Sequence, residues 1–284
     1  MKRHIALCCL LLLLPSVAGA RTKHALVIGL GQYEDPAWSR INGDRDAALM
    51  AQTLRSSGFT DVHTLVNEQA TKQALVSALR QLARRCHTGD LVCIHFSGHG
   101  QRMTDLSGDE PDGWDEAWIP YDARRSYGLL DDGSLHMSDD DLAPLLAHIR
   151  QRIGTQGDLI VIVDACHSGD STRSFDADDP PLRGVYDTFD IPGTPLPPAP
   201  RTPEQWLTLS ACKDYQLNYE APNGYGKLTY ALTQLWTQLR GKDNADALDA
   251  IHAFMQRKDM QGKFPQTPVL TGDRAYRLNV LFVH

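Results

Sequence analysis

The apolar positions change period repeatedly along this chain. "HALVIGLG" (His24–Gly31) is a short run without polar alternation that ends in glycines, the pattern of a strand buried on both faces. The next apolar residues, Ala47, Met50, Ala51 and Leu54, share one side of a helix, which Gly58 closes. "DVHTLV" (Asp61–Val66) predicts a second strand. Thr71 is placed to cap a second helix that turns Leu75, Leu79 and Leu82 inward. "DLVCIHF" (Asp90–Phe96) and "DLIVIVD" (Asp158–Asp164) are further buried strands. Between them a capping box from Ser138 to Asp141 opens a helix with Leu142, Leu145 and Ile149 on its inner face. "WLTLSA" (Trp206–Ala211) predicts a fifth strand, and helices follow at about 228–239 and 245–256. Buried strands alternating with amphipathic helices specify an α/β fold, with a mostly parallel sheet covered on both faces.

Three segments depart from this rhythm. Residues 171–205 hold eight of the sixteen prolines and no period, which predicts a long exposed loop inside the domain. Residues 105–141 carry twelve acids against two basic residues. The first twenty residues have Lys2 and Arg3, an apolar run from Ile5 to Leu14, and Ala18-Gly19-Ala20. That is the form of a secretory signal peptide cleaved after Ala20, leaving one domain over 21–284 and a secreted or periplasmic protein. The run is short for a membrane span, so no stable anchor is expected.

The chain of 284 residues has a formal net charge of −7. The leader holds two basic residues and no acid, so its removal deepens the charge to −9. This argues against a nucleic-acid partner and suits cationic ones. Four of the six cysteines remain, Cys86, Cys93, Cys166 and Cys212. In an oxidising compartment they have the option of forming two disulfides.

In open parallel sheets the chemistry sits beyond the carboxyl ends of the strands. Two predicted strands run out into reactive residues, "HFSGHG" ending at Gly100 and "DACHSG" starting at Asp164. Neighbouring strands lie roughly 4.8 Å apart, so side chains just past two adjacent ends meet. Successive residues of extended chain point apart, so His99, not the adjacent His167, is the expected base for Cys166. The backbone N–H groups of Gly100 and Cys166 would then form an oxyanion hole. Asp164, two residues before Cys166, falls on the nucleophile's side and would select a basic substrate residue. Ser210, at the end of the fifth strand, is placed to line the same cleft. Cys93, His95, His99, Cys166 and His167 are also zinc-ligand types, which leaves a metal site as the competing chemistry.

"HFSGHG" followed by "DACHSG" resembles the His and Cys motifs of the caspase-like clan of cysteine peptidases, nearest to the metacaspases and their bacterial relatives. The resemblance covers about residues 24–274. It implies the caspase-hemoglobinase α/β/α sandwich and an endopeptidase with a His99–Cys166 dyad and Gly100 in the oxyanion hole. It implies an acidic pocket for arginine or lysine, in which Asp46 of "INGDRDA" joins Asp164 and Ser97 contributes. It also implies a calcium site in the acidic segment, where Asp115, Asp139 and Asp140 match the ligand positions; clustered carboxylates suit that hard cation. Cutting after basic residues would let the enzyme process itself in the proline-rich loop, at Arg173, Arg183 or Arg201. Two other readings share these residues: a caspase-fold interaction module that does not cleave, and a disulfide-stabilised binding protein with Cys166 paired.

Overall fold

The computed structural model describes residues 21–166, 180–193, 197, 204–260, 265–273 and 275–283. The leader, His167, Arg173 and Arg201 lie outside these residues. Six strands form the main sheet in the order β2-β1-β3-β7-β8-β9. They are β1 (Lys23–Gly29), β2 (Asp61–Val66), β3 (Leu91–Ser97), β7 (Asp158–Asp164), β8 (Leu207–Ser210) and β9 (Val269–Gly272). The first five in spatial order are parallel, and only β9 runs antiparallel. The five parallel strands are the five apolar runs. The central strands β1, β3 and β7 are buried on both faces, which is why their runs lack polar alternation, whereas the edge strand β2 is only partly buried and β8 alternates buried with half-buried positions.

Helices cover both faces. Alternate strand residues divide between two cores. Ala25, Val27, Cys93, Ile160 and Ile162 pack with α1 (Gly43–Ser56), α4 (Lys227–Leu235) and α5 (Asn244–Met255). Leu26, Ile28, Val92, Ile94 and Val161 pack with α2 (Lys72–Arg85) and α3 (Asp139–Ile153). The result is a three-layer α/β/α sandwich. Thr71 caps α2 by accepting from the Ala74 N–H at 3.2 Å, and Ser138 caps α3 by accepting from Asp141. Replacing Thr71 with alanine should cost about 1 kcal/mol, read as a lower urea midpoint with an unchanged slope.

Two features correct the sequence expectations. The acidic segment contributes β5 (Trp114–Trp118) and β6 (Met137–Ser138) to a small antiparallel sheet with β4 (Gly100–Thr104), the strand that leads into it. Its strands are too short to carry a readable period. The proline-rich loop is not uniformly exposed either. Leu182, Arg183, Val185 and Phe189 are buried, because this stretch docks along the ends of β3, β4 and β7.

No helix among the described residues is long and apolar enough to cross a membrane.

Candidate active site

The site forms where β3 and β7 end. Their register sets Ser97 opposite Asp164, so His99 and Cys166 each follow two residues beyond a paired position. The Nε2–H of His99 donates to the Ser39 carbonyl at 2.8 Å. A carbonyl only accepts, so this bond fixes the tautomer and leaves Nδ1 as the basic nitrogen. That atom is buried and has no hydrogen-bond partner among the described residues. The ring stacks on Trp38 at 5.2 Å and lies against Tyr33, whose hydroxyl accepts the His99 backbone N–H. Burial pushes the His99 pKa down to about 4, so the imidazole is neutral and able to accept a proton.

The two backbone donors expected of an oxyanion hole converge on one atom. Cys166 N–H and Gly100 N–H donate to the carbonyl oxygen of Arg183 at 2.8 and 3.4 Å. The Cys166 thiol faces the Gln216 carbonyl at 3.4 Å, and the Cys212 thiol faces the same oxygen at 3.4 Å. The four cysteines among the described residues are thiols. Cys93 lies in the core, where burial lifts its pKa to about 12. His95 pairs with the Thr229 hydroxyl at 3.0 Å, so these two zinc-ligand types are committed to the interior.

The Arg183 side chain enters an acidic pocket. Its guanidinium meets Asp46 at 2.7 Å and Glu220 at 3.0 Å, with Asp164 at 4.0 Å, and it donates to the Ser97 hydroxyl. Ser97 in turn donates to Asp46 at 2.8 Å. Asp164 accepts from the Asn218 amide at 2.8 Å and from the Thr229 backbone and hydroxyl at 2.8 and 2.7 Å. All these groups are buried. Burial alone would lift the Asp164 pKa, but Arg183, Asn218 and Thr229 hold it below the usual carboxylate range. Burial pushes Asp46 up to about 7 against the pull of Arg183. Its neighbour Asp44 is half-buried and accepts from Arg45 outside the pocket. Gly226 donates its N–H to Asp46 at 3.1 Å. A Cβ there would sit 2.2 Å from Asp164 and 2.7 Å from Asp46, so only glycine lets both acids into the pocket.

The structure therefore gathers His99, Gly100, Cys166, Asp46, Ser97 and Asp164 around one residue of the chain itself. Ser210 stands at the end of β8, paired with Val163 and Val269, and takes no part in the acid cluster. Arg183, Glu220, Asn218, Thr229, Gly226, Ser39, Trp38 and Tyr33 belong to the site but were not assigned to it from sequence. In the sequence Arg183 stands out only as one of three arginines in the proline-rich loop.

In the acidic segment, Asp105, Asp109, Asp115 and Asp140 bring one oxygen each within 4.8 Å of the others. Asp115 and Asp140 match the expected calcium positions. Asp139 does not join them; as the first residue of α3 it lies beside the set, and Asp105 and Asp109 complete it. Among the described residues Asp115 Oδ1 is buried without a hydrogen-bond partner, and burial with repulsion from the neighbouring acids pushes its pKa up to about 8. Such a donor set fits a hard divalent cation.

Comparison with known proteins points the same way. A caspase-domain family model matches residues 22–277. Metacaspase-1B of Aspergillus clavatus is 26% identical over 312 residues, covering 92% of this chain and 72% of that protein. Metacaspase-1B of Neosartorya fischeri is 37% identical over 155 residues, covering 52% of this chain; the aligned region spans only 35% of that relative. Among solved structures, protein GSU0716 of Geobacter sulfurreducens superposes with a TM-score of 0.64 at 24% identity, over 91% of this chain and 98% of that one. Caspase-1 of Spodoptera frugiperda gives 0.58 at 14%, over 89% and 86%. At such identities these two likenesses concern the fold, the caspase-hemoglobinase sandwich expected from the motifs.

Proposed function

Because the chain belongs to the caspase-domain peptidase family, we propose that it is a cysteine endopeptidase that cuts after arginine or lysine, is processed by its own site and responds to calcium. The observation that carries this reading is the placement of Arg183, with its guanidinium among three acids and its carbonyl on the Gly100 and Cys166 N–H groups. That is the pose a scissile residue needs. Cys166 would attack the carbonyl carbon as its proton passes to His99 Nδ1. The oxygen takes the negative charge, held by the two N–H groups. As the carbon–nitrogen bond breaks, His99 returns the proton to the departing amine. Water then hydrolyses the thioester, with His99 as base.

The first such bond is the chain's own, Arg183–Gly184. Until it is cut, Arg183 fills the pocket that an external substrate must use. Asp105, Asp109, Asp115 and Asp140 would hold calcium. The ion would supply charge balance, and tie the turn between β4 and β5 to α3. Since β4 begins at Gly100, that tie bears on the oxyanion hole. The leader-like first twenty residues support export as part of this reading.

The test is hydrolysis of arginyl, lysyl and aspartyl reporter peptides with and without calcium. Arginyl and lysyl turnover well above aspartyl is expected, and aspartyl preference would refute the acidic pocket. Calcium should also raise the melting temperature of the wild type and leave that of Asp115→Asn unmoved. Equal shifts in both would remove the calcium site from the reading.

A further inference from the structure

The chain segment that carries Arg183 is held on both sides of that residue, and in a regular way. Before it, the segment forms an antiparallel bridge to residues 218–220. The Arg183 N–H donates to the Asn218 carbonyl at 2.8 Å, and the Glu220 N–H donates to the Pro181 carbonyl at 3.0 Å. Leu182 lies opposite Tyr219 and is buried against Leu217 and Tyr219. After it, Gly184 runs parallel beside Gly100. Val185 is buried among Trp38, Ile119 and Ala123. Main-chain pairing of this kind gives affinity to an extended peptide, and alternate side-chain pockets give specificity.

The position directly after arginine is the most closely bounded. A Cβ built on Gly184 would lie 2.6 Å from the Cys166 carbonyl oxygen, 2.9 Å from the Cys166 Cβ and 3.1 Å from the Gly100 carbonyl oxygen. Two of these are backbone oxygens, and the third belongs to the nucleophile. None can rotate away without moving the catalytic groups.

We infer that the cleft selects three substrate positions besides the basic one: an apolar residue before it, glycine immediately after it, and an apolar residue next. The substrate class is an extended protein segment of the Leu-Arg-Gly-Val type, for which residues 182–185 serve as the built-in example. This inference rests on the peptidase reading above and adds selection on the leaving side of the bond. Leu217 and Tyr219 set the first position. The backbone of Cys166 and Gly100 sets the second, and Trp38, Ile119 and Ala123 set the third.

The experiment uses self-processed wild-type protein, with internally quenched peptides and a Pro-Leu-Arg reporter whose leaving group is a fluorescent amine with no amino acid after arginine. The parent peptide is Pro-Leu-Arg-Gly-Val-Tyr. Its variants carry alanine or leucine in place of glycine, aspartate in place of valine, or aspartate in place of leucine. Alanine for glycine should lower kcat/KM at least tenfold, leucine at least a hundredfold, and each aspartate at least tenfold. Equal kcat/KM for the glycine and alanine peptides, or reporter turnover with no peptide cut, would overturn the inference. A reporter that is itself not hydrolysed would instead overturn the peptidase reading.

Discussion

Replacing Cys166 with alanine should leave the chain as a single polypeptide and lower turnover of an arginyl reporter by about a thousandfold or more. Wild-type protein under the same conditions should separate on a denaturing gel into two pieces, the smaller beginning at Gly184. Terminal sequencing reads that residue directly. The size of the effect follows from the arrangement around Arg183. His99, Gly100 and the pocket acids only position, polarise or accept a proton, and none of them can form the thioester. Two equal gel patterns would mean that another peptidase makes the cut, and unchanged turnover would remove Cys166 as nucleophile.

In that uncut Cys166→Ala background, Arg183→Gln should cost about 3–5 kcal/mol of folding stability at pH 8. Removing one partner leaves the charges of Asp46, Asp164 and Glu220 buried without a counter-ion. The pH dependence gives the sign of the effect. With Arg183 present, Asp164 is held below the usual range, so its contribution is present above about pH 4 and fades as pH falls through its folded value. Asp46 is already raised to about 7 by burial; without the guanidinium it and Asp164 rise further, well above their unfolded values. Folded protein then takes up protons that unfolded chain releases, and the variant gains stability as pH drops from 8 toward 5. The gap between the two proteins should therefore narrow in acid, as measured by urea unfolding at the two pH values. A gap independent of pH would mean that the loss is one of packing alone.

What the chain discloses about itself differs by region, for physical reasons. The central strands β1, β3 and β7 are legible because burial on both faces removes polar residues from a continuous run, and the His99–Cys166 pair is legible because it sits two residues past such runs. Asp164 is legible from its spacing to Cys166 on one strand end. Arg183 is not. A buried arginine needs several acids, and here they come from α1, the end of β7 and the segment before α4. No local pattern announces that meeting. The cation cluster is half legible for a similar reason. Asp115 and Asp140 lie on or beside regular elements, while Asp105 and Asp109 reach them through the turn between β4 and β5. That turn is set by the pairing of Met103 with Asp115 and Thr104 with Trp114.

The Arg183–Gly184 bond falls in sequence between β7 and β8, and those two strands are neighbours inside the sheet. Their ladder runs from Ile160 opposite Leu207 to Val163 opposite Ser210. Severing that bond therefore nicks the connection between two central strands without parting them. The mature particle would be a heterodimer made from one gene, with a continuous sheet crossing the subunit boundary. It should migrate as one species on a sizing column and as two under denaturant. Its two halves, once separated, would each expose the edge of a strand that had been interior, so reassembly would compete with aggregation.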